Sequence, residues 1–142
     1  MKISLKYPAT AVNAREHARL AVQVARQDFE TVLDFSPESL ETVDALIESL
    51  REEGLTGEDA AETLFVFGCY LGEVIGRALG GTWLPTPRSA LAKISPWPMV
   101  VVLPGGSAWD TIGKVFRRLE LGDSEYLPAY LAAAQETGGA GR

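Results

Sequence analysis

The stretch GEDAAETLFVFGCYLGEVIGRAL, residues 57–79, decides how the rest of the chain is read. Leu64, Phe65, Gly68, Leu71, Gly72, Val74, Ile75, Ala78 and Leu79 recur at three- and four-residue steps, the spacing of one helix face. Thr56 followed by Asp59 has the pattern of a capping box at the start. Gly80-Gly81 supplies the stop, because glycine enters the left-handed region at little cost. The apolar arc is wider than a surface helix needs, so the spacing predicts a central helix covered on most sides.

Two features set this helix apart. Gly68, Gly72 and Gly76 stand four apart along one line, and each costs about 1 kcal/mol against alanine inside a helix. Such a line predicts close approach of another segment, either within the chain or across a homodimer. Beside it runs a polar stripe, Glu62, Cys69, Tyr70, Glu73 and Arg77, confined to about a third of the circumference. Glu73 and Arg77 lie in the favoured order for an i,i+4 ion pair. One reading makes the stripe a solvated seam; the other makes it a recognition or catalytic patch centred on Glu73. Cys69 reads as a small core residue, since a neighbouring carboxylate raises a thiol's pKa and does not activate it.

Outside this stretch the chain alternates between helix and strand signals. Ile3, Leu5 and Tyr7 alternate with polar residues, a short strand pattern ended by Pro8. Residues 10–28 carry a helical stripe of Ala14, Ala18, Ala21, Val22 and Ala25 with Phe29, and His17 sits at its edge as a surface or packing residue. Residues 31–35 resemble a short strand. Ser36-Pro37-Glu38 is a helix start, with serine as cap, proline at the first position and an acid in the first turn. The second helix runs to about Glu53 with Leu40, Val43, Ile47 and Leu50 inward, and Gly54 follows it closely enough to predict a tight αα-hairpin with the central helix.

Beyond Gly81, residues 82–84 fit an edge strand and residues 91–94 a second short one within a proline-rich loop. Met99-Val100-Val101-Val102-Leu103 is the clearest strand, apolar without interruption, as a central strand covered on both faces would be. Ser107 and Asp110 read as a capping box for a helix over residues 109–121. The preceding Pro104-Gly105-Gly106 lacks the glycine spacing and lysine of a phosphate loop. Lys114, Arg117 and Arg118 fall off that helix's apolar face. A last helix spans residues 125–135. The fold expected is α+β: four or five helices around the long central one, packed on a small, mostly antiparallel sheet. Residues 1–137 form one domain in this reading, and residues 138–142 a flexible tail.

Composition narrows the function classes. The chain has 142 residues, one Cys and one His. An internal disulfide is excluded, and a cysteine zinc site or Ser-His-Asp machinery has little to work with. No cofactor or metal is expected. The net charge of −6 disfavours nonspecific nucleic-acid binding. The N-terminus lacks the apolar run of a signal peptide, and no apolar segment is long enough to span a bilayer, so a cytoplasmic location without membrane contact is expected. Charge is unevenly placed: Arg51 is the only base between Glu38 and Glu62, and Asp110 the only acid between Arg77 and Arg118.

The runs LDFSPESLETVDALI, residues 33–47, FGCYLGEVIGRALGGTW, residues 67–83, and VVVLPGGSAWDTIGKVFRRLELGDSE, residues 100–125, resemble a family of small uncharacterised bacterial domains. Its members share an L-D-[FY]-S-P-x-S-L segment, a G-x-Y-x-G-E helix and a proline-bounded strand before a late helix. The resemblance covers most of residues 29–125. It implies importance for Tyr70, Gly72 and Glu73 without specifying chemistry, and it points toward immunity-like or regulatory binding roles.

Taken together, the sequence predicts a non-enzymatic protein-binding module with no catalytic residues assigned. Its candidate binding residues are Tyr70, Glu73, Arg77, Trp83 and Trp109. The acidic second helix favours a protein partner with a basic surface. Two alternatives stay open: a small enzyme using Glu73 as general acid or base, and a structural homo-oligomer.

Overall fold

The computed structural model describes residues 5–139. Among them are five α-helices, α1 (Ala14–Phe29), α2 (Ser39–Glu52), α3 (Ala61–Leu79), α4 (Thr111–Leu121) and α5 (Leu127–Ala134). A three-stranded antiparallel sheet completes the α+β fold, with β1 (Thr82–Pro85), β2 (Met99–Val102) and β3 (Ala108–Trp109) in the order β1-β2-β3.

The central helix forms for the reasons its sequence advertises. Thr56 N–H donates to Asp59 Oδ2 at 2.9 Å and Asp59 N–H to Thr56 Oγ1 at 3.1 Å, a reciprocal capping box. One turn, residues 57–60, separates that box from the regular helix. Gly80 closes α3 in the left-handed conformation, φ 75°, and Gly81 N–H donates to Gly76 O. From Leu64 to Ile75 every residue of α3 is buried. Each large apolar side chain fully buried there contributes about 1.5–3 kcal/mol.

Helix α3 lies chiefly between α1 and α4. Ala14, Ala18, Ala21 and Ala25 are fully buried, so α1 presents a face of methyl groups that admits close packing. His17 belongs to the same interior. Its Nε2 lies 3.0 Å from Pro8 O, and its ring stands edge-on to Phe65. Its Nδ1 has no partner among the described residues. At α4, a Cβ on Gly68 would fall 2.5 Å from Ile112 Cα, and one on Gly72 would fall 2.8 Å from Thr111 Oγ1. The first two glycines therefore admit the start of α4 against the middle of α3. Gly76 does not take part: its nearest neighbour, Gly81 O, would lie at an ordinary 3.5 Å.

Several local expectations are corrected. The αα-hairpin does not form: α2 meets α3 only slightly and packs instead on α4 and α5. The reason is Arg118 of α4, expected off the apolar face but 1% exposed and held by α2. Lys114, also expected outside, is buried and pairs with Glu125 at 3.0 Å. Residues 31–35 make no strand and pair with none of the three in the sheet. The chain turns there with Phe35 at φ 63°, and Val32 is exposed. Residues 91–94 form turns, not a strand. The strand expected at Ile3 to Tyr7 lies partly outside the described residues, and residues 5–8 are bends and irregular chain.

The sheet itself follows expectation more closely. β2 is the central strand, with Trp83 opposite Val101 on one side and Trp109 opposite Val101 on the other. The Pro104-Gly105-Gly106 segment is the loop of the β2–β3 hairpin, closed by Leu103 N–H to Ser107 O at 2.9 Å. Residues 108–109 are thus strand, and α4 begins after them. Asp110, not Ser107, caps it, accepting from Gly113 N–H at 2.9 Å. Before α5 comes a 3₁₀ turn, Gly122–Glu125, and after it a π turn, Gln135–Gly139, which includes the first two residues of the expected tail. The remainder of that tail, residues 140–142, lies outside the described residues.

Candidate functional site

Glu73 sits on the last third of α3, beyond the region gripped by α4. It is 5% exposed, and a cleft of about 360 Å³ opens beside it. Three segments build most of the walls, with Val101 of β2 behind them. The 3₁₀ turn Ala11–Asn13 and the start of α1 bring Val12 and Arg15; α3 brings Glu73, Gly76 and Arg77; β1 brings Thr82 and Trp83.

Gly72 is what seats the tryptophan. A Cβ there would lie 2.3 Å from Trp83 Cζ2, so only a bare backbone lets the indole lie flat against the helix. Strand pairing with Val101 fixes the position of Trp83 along β1. Seated this way, its Nε1–H donates to Glu73 Oε2 at 3.1 Å. The other carboxylate oxygen, Oε1, accepts from Arg77 Nε at 3.4 Å and lies 3.3 Å from Arg15 Nε. Both arginine side chains are largely exposed, at 76% and 52%, while the carboxylate between them is not. Arg77 also lays its guanidinium over the Phe35 ring, 4.0 Å from the centroid.

The structure thus brings together Glu73, Arg77 and Trp83 and adds Arg15, which no local pattern marks. Arg15 reaches the site only because α1 packs along α3. Tyr70 is elsewhere. It is fully buried, its ring stacked on Phe35, and its hydroxyl accepts from Phe35 N–H at 2.7 Å and shares a 2.6 Å hydrogen bond with Ser39 Oγ. Burial raises its phenol pKa above the ordinary value. It fastens the 31–38 segment to α3 and lies one ring away from Arg77, behind Phe35. Trp109 packs edge-on against Tyr130 and donates from Nε1 to Ser107 Oγ, apart from the cleft. Cys69 is fully buried, and its thiol pKa is pushed up by burial first and by Glu73 second, so it is no nucleophile.

Chemically the cleft is sparse. Its lining holds one carboxylate and no histidine or cysteine. Among the described residues no cluster of three or more metal-ligating side chains occurs, and no helix is long and apolar enough to cross a membrane. Compared with protein-family models, with curated proteins and with solved structures, the chain gives no significant match.

Proposed function

We propose that the chain is a non-enzymatic binding protein, of regulatory or immunity-like kind, that engages a protein partner at the Glu73 cleft. One observation carries the reading: both oxygens of Glu73 already have partners in Trp83 and Arg77, and the cleft lining offers no second carboxylate, histidine or cysteine to work with it. General acid–base catalysis needs a group free to take or give a proton within reach of substrate. A carboxylate tied into its own wall serves better to hold Arg15 and Arg77 in position. The two exposed guanidiniums are the groups a partner would meet, and arginine is favoured at interfaces for its planar fork of donors.

The basic-surface partner expected from the acidic second helix has a narrower basis. Asp44 and Glu48 of α2 are taken up by Arg118, which leaves Glu38, Glu41, Glu52 and Glu53 exposed. The glycine line offers no homodimer contact at Gly68 and Gly72, which Ile112 and Trp83 cover from within the chain.

The test is capture by the tagged protein followed by mass spectrometry, comparing the native chain with the charge-reversed double variant Arg15→Glu, Arg77→Glu. A partner retained by the first and lost by the second, with both proteins melting alike, supports the reading. An unchanged set of retained proteins removes the cleft from the interaction.

A further inference from the structure

We infer that the cleft seats a single carboxylate between Arg15 and Arg77, carried by a ligand whose apolar portion lies over Val12. This rests on the binding reading and names what the partner contributes there: an acidic side chain or a free chain end, or a small organic acid of the same chemistry.

Charge is the first argument. Two guanidiniums converge on one carboxylate oxygen, at 3.3 and 3.4 Å, so the walls carry one net positive charge. A monoanion cancels that charge, and a dianion overshoots it. The cleft also borders the C-terminal end of α3, where Gly76 is lining and helix carbonyls carry partial negative charge. That end opposes any anion, a phosphate dianion most, and for a monoanion the two guanidiniums are the nearer and larger charges.

Donor geometry is the second. Each arginine turns its Nε toward Glu73, and the terminal amino groups of both have no hydrogen-bond partner among the described residues. A guanidinium carries five N–H donors in a planar fork, so each keeps a free edge suited to a carboxylate. Thr82, exposed on the same wall, adds a hydroxyl.

The third is the rim. Val12 is 91% exposed although it lines the cleft, an apolar side chain left beside two charged ones. A volume of about 360 Å³ lies at the small end of the range for ligand sites and suits an amino-acid-sized group.

The experiment is a titration of the ¹⁵N-labelled chain, following the Trp83 indole N–H, which abuts Glu73. Acetate, butyrate and hexanoate should shift that signal with saturation, progressively tighter as the chain lengthens over Val12. Hexanamide, the neutral match, should not shift it. Arg77→Gln and Arg15→Gln should each weaken hexanoate by about two- to fivefold, the worth of one exposed ion pair, and the two together by more. Val12→Ser should abolish the chain-length trend. Hexanamide binding as well as hexanoate, or phosphate binding more tightly, overturns the inference. A peptide with a free C-terminus and an amidated peptide carrying one internal glutamate, each compared with hexanoate, separate the sources: tighter binding by the first assigns a chain end, by the second an acidic side chain, and by neither a small acid.

Failure here is separable from failure of the binding reading. A protein captured through Arg15 and Arg77 while every carboxylate stays silent keeps the reading and rejects the ligand class. Probe resonances that change with time show turnover, which keeps the ligand class and rejects a binding-only role.

Discussion

Arg118 of α4 and Asp44 of α2, 74 residues apart in sequence, are joined by two hydrogen bonds of 2.8 and 3.1 Å in the interior of the protein. Glu48 binds the same guanidinium at 2.9 Å, and Asp44 Oδ1 also accepts from Leu127 N–H at 3.0 Å. Burial works against the arginine's charge, but the hydrogen bonds it donates to Asp44 and Glu48 outweigh it and raise its pKa. One carboxylate thereby ties α2, α4 and the start of α5 together. Removing one partner of such a pair leaves a buried charge unmatched, so Asp44→Asn and Arg118→Met should each cost about 3–5 kcal/mol. The double variant Asp44→Leu, Arg118→Met should recover much of that loss. It should still fall short of the native chain, because Leu127 N–H keeps no acceptor, a deficit of about 1–3 kcal/mol. Urea unfolding of the three variants checks the order.

The glycines of α3 divide by what stands opposite them. Gly68→Ala drives a methyl into the backbone of Ile112, and Gly72→Ala drives one into the Trp83 ring. Overpacking of this sort costs about 1–3 kcal/mol. At Gly76 an added methyl meets only Gly81 O at ordinary distance, so Gly76→Ala should be neutral or stabilising by up to about 1 kcal/mol through helix propensity. Thermal melting of the three single variants separates a glycine line used for packing from one used only in part. Gly72→Ala should also shift the Trp83 indole resonance, since it unseats the ring.

How much of this was legible depended on range. The α3 capping box, the left-handed Gly80 and the apolar run of β2 were readable because each is decided by residues within a few positions. Residues 31–35 have strand composition, yet composition cannot show that they pair with no strand, and the segment became a turn pinned by Tyr70. Helix periodicity alone places Arg118 outside. Asp123, five residues on, reaches the guanidinium at 3.4 Å but is itself exposed; the shorter contacts that draw it inward come from Asp44 and Glu48 of α2, some 70 residues away in sequence. The site divides the same way. Glu73 and Arg77 share one helix and were paired from their spacing, whereas Arg15 depends on how α1 lies along α3. Tyr70 had the right angular position on the stripe but is covered by the loop that its own hydroxyl anchors.

That anchoring gives a prediction about Tyr70. In Tyr70→Phe the Phe35 N–H loses its acceptor, while Ser39 Oγ keeps its 2.6 Å bond to Ser36 O. A buried donor left unsatisfied costs about 1–3 kcal/mol. The ring stays stacked on Phe35, so the cleft keeps its shape. Urea unfolding should show the loss, and carboxylate titration should show none. A variant with native stability but weakened binding would return Tyr70 to the site.

Acid stability should depend on Glu125. Its carboxyl accepts from Lys114 at 3.0 Å and from Arg117 at 3.3 Å, and the Lys114 hydrogen bond, outweighing burial, holds its pKa below the ordinary 4.5. A depressed folded-state pKa contributes stability that is present above 4.5 and lost as pH falls through the lower folded value. The native chain should therefore exceed Glu125→Gln in stability at neutral pH. The gap should stay level down to the region of 4.5 and close below it. Paired urea titrations from pH 7 to pH 3 measure it, and a gap that widens on acidification would contradict the pairing.

Glu73 makes the strongest link between stability and recognition. Its two ion pairs involve exposed arginines, and exposed pairs are each worth only about 0–1 kcal/mol. The hydrogen bond from the Trp83 indole is the larger contribution, because hydrogen bonds to a charged group are worth about 1.5–3 kcal/mol. Glu73→Gln keeps an acceptor oxygen for the indole and should be the milder change. Glu73→Leu removes it and should cost more. Both raise the net charge of the cleft from one positive to two. The stability loss of Glu73→Gln should therefore shrink in high salt, where the facing guanidiniums are screened. The same added charge should tighten hexanoate binding and bring phosphate closer to it, whereas a Glu73 that itself contacts the ligand as an acceptor would make both variants bind more weakly.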